Sequence, residues 1–230
     1  MSEKKYKQSN QAPLIATIVV AAAAIAAVIV LLVMMSAKNK TPSNSVAPNG
    51  FRASAELIEE CTDNAHDLVG QNYEILKLFV TEGLPHKDEP YGNKPEDGIY
   101  TVSSEKYTAL SQIEELVRSV YVESEANRVL KNMEVTLEDG TKKNMAVYKT
   151  RTVFGETFLG IDEQFSPNAD YKTDWSSCFV EVLPTSENSC DVTVYVNGIS
   201  VEEASAHPES VLKTVMVKQD NGWRLVNMLL

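Results

Sequence analysis

Adjacent carboxylates are the first residues in this sequence whose type and spacing could support chemistry. Asp162 and Glu163 follow Gly160 in the segment FLGIDEQF, where an apolar run ends. Two negative charges at the end of a strand can receive a cation or a basic side chain. A solvated turn is the alternative, because charged side chains in loops are ordinarily hydrated.

Aromatic side chains form the second candidate group. The candidate contacts for a ligand or partner are Tyr148, Phe154, Phe158, Tyr171 and Trp175. On a curved sheet such side chains can line the concave face, where a ligand or a segment of a partner binds. Packing in the core is the alternative role for most of them.

Known catalytic and metal-binding motifs do not occur in the sequence. The histidines His66, His86 and His207 stand outside any HExxH pattern or Cys/His zinc-binding spacing. The chain has neither a GxSxG nucleophile elbow nor a glycine loop that would hold a phosphate. The sequence therefore predicts no catalytic residue, no metal and no cofactor.

The cysteines are odd in number: Cys61, Cys178 and Cys190. Cys178 and Cys190 each alternate in phase with valines, so both project onto the apolar face of a predicted strand. A tight turn at residues 186–188 would not place them opposite each other. The pattern favours buried thiols over a Cys178–Cys190 disulfide, and we expect the domain to fold without a disulfide or a metal.

A long apolar stretch sets where these groups would work. Leu14–Met35 is a run of 22 residues without a charged side chain. A helix of this length reaches about 33 Å, enough to cross a hydrocarbon core of about 30 Å. We predict a single-pass transmembrane helix in contact with the lipid bilayer. A cleaved signal peptide is the alternative, although its apolar region is ordinarily shorter.

The flanks of this stretch give the predicted domain organisation. Residues 1–13 form a short, lysine-bearing cytoplasmic tail, residues 14–35 the span, residues 36–53 a flexible polar linker and residues 54–230 an extracytoplasmic domain. The localisation that follows is the cell membrane, with the N-terminus inside and the C-terminal domain outside.

The segment beyond the linker is strongly acidic. Residues 1–50 carry five lysines and one glutamate, so the net charge of −11 for the whole chain leaves −15 for Phe51–Leu230. This balance excludes binding to nucleic acid through counterion release. It fits a basic protein or an envelope ligand as partner, or an exposed domain kept soluble by its charge.

Hydrophobic periodicity predicts an α+β domain. Apolar residues recur every three or four positions from Ser54 to about Thr81, and a capping box of Ser111 and Glu114 opens a second helix. From Met133 onward the period is two, with turn signals that include Asn197-Gly198. Leading helices followed by consecutive strands favour helices packed on a curved antiparallel sheet.

The capped helix at Ser111–Tyr121 and the closing hairpin Val215–Leu225 resemble the nuclear-transport-factor-like cone fold. Tyr100–Leu130 is also similar to the cell-wall DL-endopeptidase inhibitor proteins, in which a strand ending in tyrosine leads to a capped helix and a second short helix. The resemblance implies a bent sheet covered by the leading helices, and it transfers no site residue.

Two functions follow from these patterns. The first is a membrane-anchored, extracytoplasmic, non-catalytic binding domain that modulates a cell-envelope protein such as a wall hydrolase. The alternative is a cone-fold enzyme acting on a small molecule outside the membrane. Binding is favoured because the acid–base set of an enzyme pocket is not recognisable in the sequence.

The predicted topology can be tested by limited proteolysis. Protease added to intact cells or spheroplasts should remove Phe51–Leu230 and spare the N-terminal tail, because only the tail lies inside. Immunoblots with tags at each end measure both fragments. Full protection of the domain in spheroplasts would contradict the topology.

Overall fold

The computed structural model describes residues 46–87, 95, 97–131, 134–136, 140, 142–168 and 171–230. The chain divides into two compact units, Met1–Pro42 and Ser43–Leu230. The predicted tail, the predicted span and the first part of the predicted linker lie outside the described residues. None of the helices in the described part has the length and apolar character that crossing a membrane requires.

Within the described residues, three α-helices precede most of the strands. They are α1 (Ala55–Leu76), α2 (Leu110–Val120) and α3 (Glu123–Leu130), and a π-helical turn at Lys77–Thr81 continues α1. Two 3₁₀ turns, Val201–Glu203 and Pro208–Ser210, come later in the chain.

The strands of the described residues are antiparallel and belong to three sheets. The bounds are β1 (Ile99–Thr101), β2 (Glu134–Thr136), β3 (Lys142–Asn144), β4 (Tyr148–Val153), β5 (Glu156–Asp162), β6 (Phe179–Ser186), β7 (Ser189–Tyr195), β8 (Val211–Gln219) and β9 (Gly222–Leu225). Their order is β1-β5-β4, β2-β3 and β6-β7-β8-β9. The prediction of an α+β domain with antiparallel strands is confirmed.

Helix α1 forms where its apolar period predicts it. The Ser54 hydroxyl caps the helix by accepting a hydrogen bond from the Leu57 amide at 3.2 Å. The buried face contains Cys61, Ala65, Leu68, Val69, Asn72, Ile75 and Leu76. This face packs against β6 and β9.

Helix α2 begins before the predicted capping box, so that prediction was wrong. Its N-cap is Ala109, and the Gln112 side-chain oxygen accepts hydrogen bonds from the amides of Thr108 and Ala109 at 2.8 and 3.0 Å. Gln112 therefore performs the capping that the sequence pattern assigned to Ser111 and Glu114.

The four-stranded sheet is joined to the helices at its last strand. Tyr121, which ends α2, forms a parallel bridge with Leu225 of β9, and the Val122 amide donates to the Leu225 carbonyl at 3.0 Å. The sheet and α2 are thus fixed along one edge.

The turns between strands use residues with positive φ, among them Asn197 and Gly198 as predicted.

A single buried amide connects three distant segments. The Asn72 side chain on α1 has no exposed surface. Its nitrogen donates to the Leu229 carbonyl at 3.1 Å, and its oxygen accepts from the Leu229 amide at 2.9 Å and from the Tyr121 hydroxyl at 2.7 Å. Asn72 therefore satisfies buried polar groups of the C-terminal segment and of the end of α2.

We expect Asn72→Ala to lower the free energy of unfolding by about 3 kcal/mol, because the partners in Leu229 and Tyr121 lose their hydrogen bonds inside the core. Urea denaturation followed by circular dichroism measures the change. Asn64→Ala on the same helix is the control, since Asn64 is half-buried and its nitrogen bonds only the Glu60 carbonyl within α1. Equal losses in the two variants would contradict the special role of Asn72.

Candidate functional site

A recess lies at the carboxyl end of β5. It holds about 290 Å³ of space, part of it open to solvent. Its lining has three kinds of side chain: the carboxylates Glu82, Asp162 and Glu163; the rings of His86, Tyr100 and Phe165; and the apolar residues Leu84, Ile161 and Pro167. The recess therefore combines negative charge with aromatic faces.

The pairing of β1 with β5 brings the aromatic and acidic residues together. Ile99 of β1 is the register partner of Asp162, and Tyr100 is the partner of Ile161. On the other side of β1, His86 bridges Val102, and the His86 ring stacks on the Tyr100 ring with centroids 4.4 Å apart. Segments distant in the chain thus meet at one sheet end.

The wall of the recess requires a glycine after α1. Gly83 has a φ of +71°, and a Cβ added there would lie 2.5 Å from Cε1 of Phe165. The amides of Glu82 and Gly83 both donate to the Lys77 carbonyl, at 2.9 and 3.0 Å, which closes the π-helical turn. The wide turn and the glycine let Phe165 pack beside Glu82.

Hydrogen bonds and ion pairs hold the acidic residues of the recess in place. Asp162 Oδ1 accepts from the Gln164 amide at 2.8 Å, and Asp162 Oδ2 lies 3.6 Å from Lys149 Nζ. The Glu163 amide donates to the Gly98 carbonyl at 2.9 Å. Glu82 forms an exposed ion pair with Lys77 at 3.2 Å. These contacts fix the Asp162 carboxylate and the backbone of Glu163.

This arrangement suits a positively charged head group of small size. An ammonium or guanidinium group can meet the carboxylates while it packs on an aromatic face, which adds cation–π attraction. His86 is exposed, and Asp162 and Glu163 are half-buried. In the described part of the chain, no three metal-ligating side chains lie close enough together to hold a metal ion.

Tyr148 lies in the core beneath this region. Its hydroxyl donates to the Leu78 carbonyl at 2.7 Å and accepts from the Leu84 amide at 3.1 Å. Its ring meets Phe79 edge to face. Burial raises the pKa of the Tyr148 phenol above its usual value. Tyr148 therefore positions Leu84, which lines the recess, and does not line the recess itself.

Tyr171 and Trp175 are also outside the recess lining. The Trp175 indole nitrogen donates to the Tyr171 hydroxyl at 3.0 Å, and the Trp175 ring stacks on Tyr73 of α1 with centroids 5.5 Å apart. Trp175 is 5% exposed. These contacts attach the segment before β6 to α1, which is the packing role left open for the aromatic residues.

Phe154 and Phe158 belong to the β4–β5 hairpin. Phe154 is fully exposed at the turn and has a φ of 51°, followed by Gly155 with a φ of 83°. These signs match a two-residue type I′ turn, which favours Asn-Gly. Phe158 is 36% exposed on β5 opposite Arg151. The predicted site residues therefore separate into four places, and only Asp162 and Glu163 of them line the recess.

Other lining residues escaped the sequence analysis. His86 stands alone in a Pro/Gly-rich segment, and Glu82 directly follows the π-helical turn at the end of α1, so neither carries a motif. Their only available signal was the short strand at Ile99–Thr101, whose partner strand could not be deduced from local pattern.

A second ionic cluster joins α1 to the segment before α2. The Glu74 carboxylate accepts hydrogen bonds from Lys106 Nζ and from the Tyr107 hydroxyl. Burial and the Glu74 charge raise the pKa of the Tyr107 phenol above its usual value. The cluster fixes the chain just ahead of α2 and lines no described cavity, so its role is structural.

Comparison with known proteins does not assign the chain to a family. No protein-family model matches the sequence. No curated protein matches it either.

We expect Tyr148→Phe and Phe154→Asn to change stability in opposite directions. Tyr148→Phe should lower the free energy of unfolding by about 2 kcal/mol, because the Leu84 amide and Leu78 carbonyl lose a buried partner.

Phe154→Asn should raise the free energy of unfolding by about 1 kcal/mol, because asparagine tolerates positive φ and no packing is lost.

Urea denaturation of both variants beside the unchanged chain measures these shifts. A loss of stability in Phe154→Asn would contradict the assignment of Phe154 as an unpacked turn residue. An unchanged midpoint in Tyr148→Phe would contradict the anchoring role of its hydroxyl.

Proposed function

We propose that this protein is a membrane-anchored, extracytoplasmic, non-catalytic binding domain whose recess receives a basic side chain of a partner protein. The observation that supports it is the meeting of Glu82, Asp162 and Glu163 with three aromatic rings around one recess. A lysine or arginine head group has the charge and size that this lining accommodates.

The charge of the whole domain supports the same class of partner. The net charge of −15 over Phe51–Leu230 attracts a basic surface over a distance and orients it before contact. Opposite charges at an interface mainly raise the association rate, and salt weakens this attraction. The recess then supplies a short-range contact within a long-range field.

The proposed anchor restricts where the partner can be. Residues 36–45 separate Leu14–Met35 from the first described residue, Val46, and ten residues reach at most about 35 Å when fully extended. A domain on such a tether works close to the membrane surface. A partner that acts on the inner zone of a cell wall would be within reach.

The resemblance of Tyr100–Leu130 to the DL-endopeptidase inhibitor proteins supports a more specific partner, a wall hydrolase that the domain modulates. In this proposal the domain acts by binding alone and contributes no catalytic residue. Within the described residues, the recess brings no buried histidine against a buried carboxylate, which is the arrangement that would favour the enzyme alternative.

A peptide titration tests the basic-side-chain contact. The full chain, solubilised in a non-ionic detergent, is titrated with a short lysine- and arginine-rich peptide at low salt, and binding is followed by calorimetry. Asp162→Asn combined with Glu163→Gln should weaken binding by about tenfold, because each lost charge removes a direct contact with the cation. High salt should weaken binding to the unchanged chain.

A control of equal charge separates the recess from the general field. Glu187→Gln combined with Glu202→Gln removes the same charge at exposed positions outside the recess lining. This control should change affinity by less than about twofold. Equal weakening in both double variants would contradict the recess as the binding site, and no binding at low salt would contradict the basic partner.

A further inference from the structure

Two of the three cysteines meet in the core between α1 and the four-stranded sheet. Cys61 of α1 and Cys190 of β7 have no exposed surface. The two side chains belong to one buried core cluster, where their sulfhydryl groups interact with each other. All three cysteines are thiols in this structure. We propose that Cys61 and Cys190 are a disulfide site that can covalently tie α1 to β7.

Independent contacts place α1 over this part of the sheet. Glu60, the residue before Cys61, accepts hydrogen bonds from Lys218 Nζ at 2.5 Å and from the Trp223 indole at 2.8 Å. Lys218 of β8 and Trp223 of β9 are register partners. The first turns of α1 are therefore fixed over β8 and β9.

The strand register shows that Cys190 lies on the same face of the sheet as these contacts. Cys190 is the register partner of Met216, which stands two positions before Lys218 on β8. Residues two apart on a strand point to the same face, and register partners share a face. Cys190 and Lys218 therefore lie on the face that α1 covers, which is the face that Cys61 enters.

Cys178 cannot replace Cys61 as the partner of Cys190. It precedes Phe179, the register partner of Tyr195, whereas Cys190 is the partner of Pro184 on the same strand. Five strand positions separate Phe179 from Pro184, a distance of about 17 Å. A disulfide needs Cα atoms within about 7 Å, so a Cys178–Cys190 bridge is excluded in this fold.

The reaction is a thiol–disulfide exchange with a small disulfide such as oxidised glutathione as the oxidant. One cysteine of the pair, as its thiolate, attacks one sulfur of the donor and releases one thiol. The other cysteine, after loss of its proton, then attacks the protein sulfur of the mixed disulfide and releases the second thiol. The pair loses two protons and two electrons, and the donor is reduced to two thiols.

Both sulfurs are buried in the folded domain, so the exchange takes place during folding or local opening.

The site does not depend on the proposed partner, and only its oxidation in the cell rests on the proposed extracytoplasmic placement. Oxidising compartments form and retain such bonds, whereas the cytosol keeps thiols reduced. The bond would close a loop of about 130 residues, and long loops gain the most from closure. The reduced domain still folds, and the oxidised form melts at a higher temperature.

Oxidative refolding of the full chain in detergent tests the site. The chain is refolded with a mixture of oxidised and reduced glutathione or with a strong dithiol reductant, and free thiols are then alkylated in denaturant, where buried thiols also react. Peptide mapping by mass spectrometry should find a Cys61–Cys190 disulfide and an alkylated Cys178. The melting temperature should be about 10 °C higher after oxidation than after reduction.

Matched variants make the result specific. Cys178→Ala should keep both the disulfide and the difference in melting temperature, whereas Cys61→Ala and Cys190→Ala should each abolish the difference. Free Cys61 and Cys190 after oxidative refolding, or a bridge that contains Cys178, would overturn the proposal.

Acid quenching of intact cells, followed by alkylation of the denatured chain, separates the two proposals. Protection of Cys61 and Cys190 that disappears on reduction supports oxidation outside the membrane. A bridge formed on refolding but absent in cells supports the disulfide site and contradicts the extracytoplasmic placement.

Discussion

The buried side chain of Asn72 is the interaction on which the arrangement of the domain depends. Apolar packing between α1 and a sheet tolerates sliding, because hydrophobic attraction has no direction. The amide of Asn72 removes that freedom, since its hydrogen bonds to Leu229 and Tyr121 exist in one alignment only. The last residues of the chain and the end of α2 are thereby fixed against the middle of α1.

Both ends of α1 then have defined neighbours in the fold. Near its start, Glu60 joins Lys218 and Trp223, and Cys61 enters the core beside Cys190. Past its end, the π-helical turn carries Glu82 to the recess, where the end of β5 supplies the other carboxylates and β1 supplies Tyr100. The proposed binding site and the proposed disulfide site are therefore two consequences of one fixed helix.

The recess and the domain charge act over different distances in the proposed function. A field from many carboxylates is weakened by salt beyond about 8–10 Å, whereas a contact inside a partly enclosed recess is screened much less. The aromatic faces of Tyr100 and His86 add attraction that does not depend on net charge. A basic segment near the membrane would therefore be attracted broadly and held at one point.

The sequence by itself determined what depends on neighbouring residues: the length and face of α1, the turn at Asn197-Gly198, the α+β class and the acidic charge. Tertiary structure decided what depends on distant pairing. Ser111 and Glu114 form a plausible local cap, yet contact between Tyr107 and Glu74 fixes the preceding chain and α2 starts at Leu110. Likewise, no local signal predicts how the described strands divide into three sheets, because strand order is set by long-range packing rather than by periodicity. For the same reason, the sequence did not predict that His86 lies near Asp162 or that Cys61 lies near Cys190.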